Sequence, residues 1–178
     1  MQGAGILSED RTKEGLALSL SVADNVTLSK LKGFGPLGMV LPNRQDRATQ
    51  RWIERLGIRC QGPRQSLSSL SGGNQQKVAL ARLLQHDVDV LLLDEPTRGI
   101  DVAAKAMIYQ LIDALATGSP AEGRAPKAVL MVSSYLPELM GICDRVAVMR
   151  RGRLGPTHRI DEVDEHKLML EATGQEMR

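Results

Sequence analysis

A serine and two glycines stand directly before a helix-forming run, in the segment LSGGNQQKVALARLL at positions 70–84. A helix start exposes unpaired backbone N–H groups and the positive end of the helix dipole, and Gly72 and Gly73 lack the Cβ atoms that would hold an anion away. The Ser71 hydroxyl adds a further donor. These residue types in this order predict a cradle for a phosphate group.

Two carboxylates follow an apolar run further along the chain, in the segment VLLLDEPTRGID. The run predicts a buried strand that delivers Asp94 and Glu95 to its carboxyl end, where α/β proteins bind ligands. Asp94 could hold a magnesium ion through water, and Glu95 could orient and deprotonate a water molecule that attacks a γ-phosphate. Acids often follow strands as solvated residues, so the pair alone is a weak signal.

The composition excludes several classes of protein. The chain has 178 residues, of which 42% are hydrophobic, enough for one domain with a sizeable core. A net charge of +2, with one Trp, two Tyr and one Phe, argues against a nucleic-acid-binding protein. The two cysteines, Cys60 and Cys143, do not have the spacing of metal ligands. No apolar run approaches the roughly 20 residues that cross a bilayer, so we expect a cytoplasmic protein.

Strand-like and helix-like segments alternate along the chain. AGILS is a short apolar start, strands are predicted at VDVLLLD and KAVLMVS, and a hairpin is predicted at RVAVMRRGRLG with Gly152 near its turn. The segment VDVLLLD is too uniformly apolar for an exposed sheet. Besides the helix after Ser71, helices are predicted from a cap at Ser21 and Asp24, from Asn43 and Asp46, from about Asp101 to Ala116, from Leu136, and over 161–173 with a cap at Asp161. This alternation indicates an α/β fold with a largely parallel sheet.

Four segments occur in the order of a known family. LSGGNQQ, LLLDEPT, GID and VSSYLPELMGICDRVAVMRRGRL resemble the signature motif, Walker B motif, D-loop and switch region of the nucleotide-binding domain of an ABC transporter. The variants SEDRTKEGL, SVADNVTL, TRGIDVAAK and SSYLPE are similar to the second, C-terminal ATPase half of the tandem ATPases that energise bacterial importers of the ribose, xylose and galactose type. The resemblance extends from about Gly5 to Gly174.

The resemblance implies a partial P-loop NTPase (ABC ATPase) fold over 1–178, with a largely parallel sheet and without the N-terminal P-loop segment. It implies a helical subdomain over about 21–70, the signature at 70–76, core strands over about 88–156 and a C-terminal helix over 157–178.

The resemblance also implies a role for each candidate site residue. Glu95 would be the catalytic residue, and Asp94 would hold the metal. The nucleotide-binding residues would be Ser71, Gly72, Gly73, Gln75, Asp101, Ser134 and Glu9. Because the signature of one ABC half faces the P-loop of the other, Ser71 to Gly73 would contact the γ-phosphate of an ATP molecule held chiefly by a different domain. Asp101 would lie at the same interface.

The implied function is that of an ATP-binding subunit, which couples ATP binding and hydrolysis to carbohydrate uptake. Its cofactors would be ATP and Mg²⁺. Its partners would be a P-loop-containing ATPase half or a second copy, and membrane permease subunits from which the helical subdomain would receive force. A periplasmic sugar-binding protein would take part indirectly, and nucleic acid would not be a partner. The chain would be cytoplasmic and peripheral on the inner face of the cell membrane.

Three departures from the family pattern bear on catalysis. Nowhere does Lys follow Gly, so the P-loop motif GxxxxGKS or GxxxxGKT is absent, and we expect it on an amino-terminal segment outside this chain. Glu9 occupies the position of the Q-loop glutamine, and Ser134 stands where a competent half carries a histidine. We therefore expect weak nucleotide binding and negligible hydrolysis by this chain alone.

Two other classes of function remain open from the sequence. A P-loop-less regulatory or vestigial module could dock on a partner ATPase or permease without enzymatic activity. A soluble ABC protein that acts on nucleic acid would show basic linkers or long heptad arms, and neither pattern occurs here.

Overall fold

The computed structural model of the chain describes residues 3–9, 15–119 and 123–175. The chain divides into two compact units, Met1–Val132 and Ser133–Arg178. Part of the segment SEDRTKEGL and the last three residues of the region 157–178 lie outside the described residues.

A three-stranded parallel sheet forms the centre of the first unit. Its strands are β1 (Ala4–Leu7), β2 (Val90–Asp94) and β3 (Ala128–Val132), in the spatial order β1-β2-β3. All three lie within the predicted apolar runs, and the parallel pairing confirms the predicted α/β class. Because parallel strands share one direction, the segments that follow them all begin at the same edge of the sheet.

The described part of the first unit contains four α-helices: α1 (Val22–Thr27), α2 (Pro42–Arg55), α3 (Gly72–His86) and α4 (Val102–Thr117). One hydrophobic core joins them to one face of the sheet, where Leu91 and Leu93 of β2 share the core with Leu80 of α3 and Ile108 of α4. Buried side chains run along α3 from Gln76 to Leu84. The core therefore anchors α3 along most of its length and holds its first residues in place.

The other face of the sheet is apolar and exposed. Ile6, Leu92 and Leu130 lie side by side across the three strands, and Ile6 and Leu130 are 64% and 62% exposed. Val132, also exposed, extends this face along β3. The exposed side chains belong to the outer strands β1 and β3, whereas the residues of β2 are buried or half-buried, as its uniformly apolar run predicts.

One predicted helix cap is confirmed, and a second cap agrees with the predicted start of its helix. Ser21 and Asp24 form a capping box at α1, in which each side chain accepts the backbone N–H of the other. Asp101 caps α4 by accepting the Ala104 N–H at 3.0 Å. In both cases a short polar side chain satisfies a donor that the helix itself leaves free.

The predicted start of α2 is wrong. Asn43 and Asp46 do not cap the helix; its N-cap residue is Leu41, and no side chain bonds to the free donors there. Pro42 explains the earlier start, because its fixed φ suits the first helical position and it has no N–H to satisfy. The helix buries Thr49 and Ile53, and Ile53 belongs to the core.

The second unit contains α5 (Leu136–Ile142), an antiparallel hairpin of β4 (Arg145–Arg150) and β5 (Arg153–Arg159), and α6 (Glu165–Thr173). Gly152, with a φ of +75°, lies in the hairpin turn as predicted. The predicted cap at Asp161 is wrong, because Ile160–Glu162 form a separate 3₁₀ turn and Asp164 caps α6 by accepting the Lys167 N–H at 2.8 Å.

Within the described residues, no helix combines the length and the apolar character that crossing a membrane requires. The limits proposed for the subdomains, about 21–70 and 88–156, stay predictions.

Candidate functional site

The first turn of α3 carries the predicted phosphate cradle. Ser71 is its N-cap residue, in an extended conformation, and its side chain caps no backbone N–H of the helix. Asn74 Nδ2 instead donates to Ser71 Oγ at 2.9 Å, which leaves the hydroxyl hydrogen available. Within the described residues, no acceptor bonds to the N–H of Gly72 or Gly73. This helix start therefore offers two backbone N–H groups and one hydroxyl to an anion.

Gln75 supports this helix start from behind. Its Nε2 donates to Leu67 O at 3.3 Å and to Leu70 O at 3.1 Å, and both carbonyls lie in the segment just before Ser71. Its backbone N–H donates to Ser71 O at 2.9 Å. These bonds fix the chain that leads into α3, whereas the contact of Gln75 with a nucleotide stays a prediction.

Asp94 ends β2, and Glu95 opens the turn that follows it. Glu95 has a φ of +47°, in the left-handed region that disfavours residues with a Cβ. Its N–H donates to Val132 O at 2.9 Å, and its carbonyl accepts the Arg98 N–H at 3.1 Å, so the surrounding chain holds this conformation. Because strained residues of this kind concentrate at functional sites, the backbone marks Glu95 independently of its motif.

The start of α3 packs against the turn after Glu95. Gln76, only 1% exposed, donates from Nε2 to Pro96 O at 3.3 Å. Gly73 approaches the same turn so closely that a Cβ there would lie 3.2 Å from Gly99 O. The sequence analysis did not single out Gln76. The signal that could have found it is its spacing of four residues from Leu80, on the buried face of α3.

Asp101 ends this turn and begins α4. The hydrogen bond from the Ala104 N–H lowers the pKa of the Asp101 carboxyl, and the positive charges of Lys77 and Arg59 lower it further. Lys77 is itself buried and donates from Nζ to Gly57 O at 2.9 Å. Asp101 is therefore a carboxylate at neutral pH, on the same turn that touches the start of α3.

Glu9 belongs to this part of the first unit as well. It follows β1 and forms an ion pair with Arg98, which lies in the turn after Glu95. Because β1 and β2 are parallel neighbours, the segments that follow them leave the same edge of the sheet. The first unit thus brings Glu9 to the turn that also contacts α3.

Ser134 lies in the second unit, at the turn before α5. It is exposed, and the side chain that organises this turn belongs to its neighbour. Ser133 Oγ donates to Glu138 Oε2 at 2.6 Å and accepts the Tyr135 N–H at 3.1 Å. The role of Ser134 at a nucleotide stays a prediction.

Asp94 is the candidate metal ligand. Alternation along β2 places Asp94 on the same face as Leu92, the exposed face of the sheet. In the part of the chain that the structure describes, no group of three or more His, Cys, Asp or Glu residues could hold a metal ion. A single carboxylate nevertheless fits Mg²⁺, which keeps several waters and often takes one or two protein carboxylates together with phosphate oxygens.

Comparison with known proteins places these motifs in a family. The family model described as ABC transporter matches residues 3–98. A ribose import ATP-binding protein from Burkholderia cenocepacia (strain HI2424) is 45% identical over 172 residues, which cover 96% of this chain and 33% of that protein. A ribose import ATP-binding protein from Pseudomonas putida is 44% identical over 173 residues, with 97% and 32% covered. The chain spans about a third of the length of these curated relatives.

Solved structures share the fold. A dimeric ATP-binding cassette in a post-hydrolysis state, bound to ADP and Pi, has a TM-score of 0.71 at 23% identity, with 88% of this chain and 62% of that chain covered. An inward-facing ABC transporter of the metal-chelate type has a TM-score of 0.73 at 16% identity, with 96% and 63% covered. At these identities the likeness concerns the fold alone. The ABC transporter model matches more than half of the residues of this chain, and the chain therefore belongs to the ABC transporter family.

Proposed function

We propose that this chain is the signature-bearing, C-terminal part of the ATP-binding subunit of an ABC-type sugar importer. Such a subunit couples ATP binding and hydrolysis to carbohydrate uptake through a membrane permease, and it lies on the cytoplasmic face of the membrane. The observation that carries the proposal is the open start of α3 at Ser71–Gly73, which rests against the turn after Glu95. The ribose import relatives, aligned over nearly the whole chain, support carbohydrate as the cargo.

The open start of α3 completes a nucleotide site that another ATPase half contributes. Residues 1–178 contain no Gly-Lys pair, so the P-loop that surrounds the phosphates of ATP lies outside this segment. The donors of Ser71, Gly72 and Gly73 then meet the γ-phosphate from the opposite side. The dimeric state of a cassette of the same fold, bound to ADP and Pi, supports a site made by two halves.

The two carboxylates after β2 have separate tasks in this proposal. Glu95 orients a water molecule and accepts its proton. The hydrogen bonds of its backbone fix the position from which its side chain extends. Asp94 would hold Mg²⁺. When bound, the metal offsets the negative charge of the phosphates. Asp101, charged at neutral pH, faces the partner half at the same interface.

The exposed face of the sheet supports a P-loop-containing partner. Parallel sheets in α/β proteins are covered on both faces, whereas Ile6, Leu130 and Val132 are exposed here. A P-loop-bearing segment packed on this face would stand beside Asp94, which shares it. Covering each of the three apolar side chains would contribute roughly 2 kcal/mol.

The test is ATP-dependent association between this chain and a P-loop-bearing ATPase half, followed by sedimentation velocity. We expect a complex that forms with ATP, that persists when Glu95→Gln removes the base and so blocks hydrolysis, and that is lost in Gly72→Asp. The matched control is Gly141→Asp, which adds the same charge at a glycine where a Cβ meets no atom within 4 Å. An association that is unchanged in Gly72→Asp would overturn the assignment of the phosphate cradle.

A second arm uses the chain alone. Without the P-loop of a partner, we expect no saturable binding of ATP in the micromolar range and no release of phosphate. Isothermal titration of the purified 178-residue chain measures this directly. Micromolar binding would contradict the division of the site between two halves.

A further inference from the structure

A cavity lies where the C-terminal halves of α2, α3 and α4 meet the start of β2. Its volume is about 420 Å³, within the roughly 300–1,000 Å³ that is typical of small-molecule sites. Val88 and Leu91, each 1% exposed, are the most deeply buried residues of its lining. The half-buried side chains of Trp52 and Leu115 also line it, and the exposed Pro126 lies at its opening. The cavity therefore has apolar walls that a small molecule can reach.

A stacked cation lies at the opening of this cavity. The guanidinium carbon of Arg55 is 5.4 Å from the centre of the Trp52 ring, the distance of a cation–π contact. The ring is itself fixed, because Trp52 Nε1 donates to Gln85 Oε1 at 2.7 Å. In the part of the chain that the structure describes, no carboxylate forms an ion pair with Arg55. The aromatic ring thus holds this cation in place while its N–H donors stay available to an anion.

The charges of the lining favour an anion over a cation. Lys127 Nζ donates to Asp87 Oδ1 at 2.8 Å, and this hydrogen bond lowers the pKa of the Asp87 carboxyl, so the two charges offset each other. Arg124 and Asp89 add one charge of each sign to the lining. Arg55 supplies the positive charge that remains.

We propose that this cavity is a binding site for a small organic carboxylate with an apolar, ring-bearing body. The carboxylate accepts from the N–H donors of Arg55, whose planar fork suits two parallel hydrogen bonds. The ring of the ligand packs between Trp52 and Leu115. A flat ring gains more here than a straight chain of the same area, because it can also stack against the indole.

This site is separate from the phosphate cradle, although both involve α3. The cradle begins at the first residue of the helix, Gly72, whereas the cavity is lined by Leu83, eleven positions further along. At a rise of about 1.5 Å per residue, the two lie roughly 16 Å apart along the helix axis. Binding of the carboxylate therefore does not depend on the proposed nucleotide function, and either proposal can fail alone.

The chain contains one tryptophan, so its fluorescence reports directly on this cavity. The probe is 4-phenylbutyrate, titrated into the purified 178-residue chain while the emission of Trp52 is followed. The matched controls are the neutral 4-phenylbutanamide and the cationic 4-phenylbutylamine, which have the same ring and chain. We expect saturable binding of the carboxylate, about tenfold tighter than that of the amide, because its hydrogen bonds to Arg55 are charge-assisted. The amine should bind still more weakly.

Variants assign the binding to the cavity, with isothermal titration calorimetry as a readout that does not depend on Trp52. Arg55→Gln should weaken the carboxylate about tenfold and leave the affinity of the amide unchanged. The matched control is Arg51→Gln, the same change one helical turn earlier on α2 and outside the lining, which should alter neither affinity. Arg55→Glu should bind the amine better than the original chain does, and that gain shows that the variant is folded.

A third variant fills the cavity. Ala114 is an exposed residue of the lining, and Ala114→Phe places a ring where the ligand would lie, so it should abolish binding of the carboxylate and of the amide. Binding that persists in Ala114→Phe would overturn the proposal, as would the absence of saturable binding in the millimolar range. Equal affinities for the three probes, or equal losses in Arg55→Gln and Arg51→Gln, would also overturn it, because binding would then not depend on the cation at the opening.

Discussion

Two helices of the first unit begin after a serine, and their starts differ. At α1, Ser21 Oγ accepts the Asp24 N–H at 3.1 Å, and Asp24 Oδ2 accepts the Ser21 N–H at 3.3 Å. At α3, the residue three positions after Ser71 is Asn74, and no side chain caps the helix. A serine at the N-cap therefore helps to cap α1, whereas at α3 it leaves backbone donors free.

The difference follows from how each helix is held. α1 has six residues and depends on its cap, because so short a helix makes few hydrogen bonds of its own. α3 has fifteen residues, and the core buries it from Gln76 to Leu84. A helix anchored in this way can forgo a cap worth about 1 kcal/mol and leave its start to a ligand.

The largest effect is expected when the open start is closed. Asn74→Asp gives α3 the serine–aspartate spacing of α1. A carboxylate roughly 5 Å from a phosphate charge, at an effective dielectric of about 20, opposes binding by about 3 kcal/mol. ATP-dependent association with a P-loop-bearing half should then weaken on the order of a hundredfold, as sedimentation velocity can measure.

The fold itself should tolerate this change. The Arg59 N–H donates to Asn74 Oδ1 at 2.8 Å, and an aspartate keeps an oxygen in that place. The charge also suits a helix start, so the midpoint of urea unfolding should stay the same or rise slightly. If the stable variant still associated as the original chain does, the start of α3 would not lie at a phosphate.

The next effect concerns the support of the open start. Gln76→Leu keeps most of the side-chain volume but leaves Pro96 O without its buried donor, which should cost about 2 kcal/mol of unfolding free energy. Urea unfolding measures this loss. The matched control is Gln50→Leu, because Gln50 donates to Glu54 on the exposed side of α2 and should cost less than about 0.5 kcal/mol. Equal losses would show that the contact with Pro96 does not anchor α3.

A smaller effect is expected when the closed start is opened. Asp24→Asn removes the charge from the capping box of α1 and should cost about 1 kcal/mol near neutral pH. ATP-dependent association should not change, since α1 keeps no donors for a ligand. A loss of association would remove the functional distinction between the two helix starts.

The difference in stability between the original chain and Asp24→Asn should depend on pH. Partial burial tends to raise the pKa of Asp24, but the hydrogen bonds from Ser21 and Gln45 and the charge of Arg64 outweigh it, so the pKa is lowered. The stabilisation is therefore present above the unfolded pKa of about 3.9 and is lost as the pH falls through the folded value. The unfolding midpoints of the original chain and of Asp24→Asn should converge in acid. Curves that stay parallel would contradict this.

Much of the fold could be predicted from the sequence, because it depends on local patterns. The apolar runs determine β1, β2 and β3, and the spacing of Ser21 and Asp24 identifies a cap. The cap of α6 could not be chosen in this way, since Asp161 and Asp164 are equally suitable in sequence. The exposed face of the sheet was missed because an apolar run shows that a strand can be buried, and not what covers it.

The same distinction between local pattern and packing applies to the candidate site. The residue types at Ser71, Gly72 and Glu95 indicate phosphate chemistry from the sequence alone. The approach of Gly73 to the turn after Glu95 and the bond from Gln76 to Pro96 join residues about twenty positions apart, so they depend on how α3 packs against β2. The left-handed backbone of Glu95 has no residue signature at all, since glutamate rarely adopts it.

The smallest effect is expected at Glu9, whose negative charge lies near the proposed phosphate site. Glu9 forms an exposed ion pair with Arg98, next to Gly99 of the turn that touches α3, and such pairs contribute less than about 1 kcal/mol. If Arg98 neutralises Glu9, Glu9→Gln should change neither the unfolding midpoint nor the association by more than about twofold. Arg98→Gln should weaken association, because it leaves the carboxylate unpaired near the bound phosphate, and the double variant should restore it. A cycle in which the two effects simply add would show that the pair is not coupled, and the tolerance for Glu9 would then need another cause than Arg98.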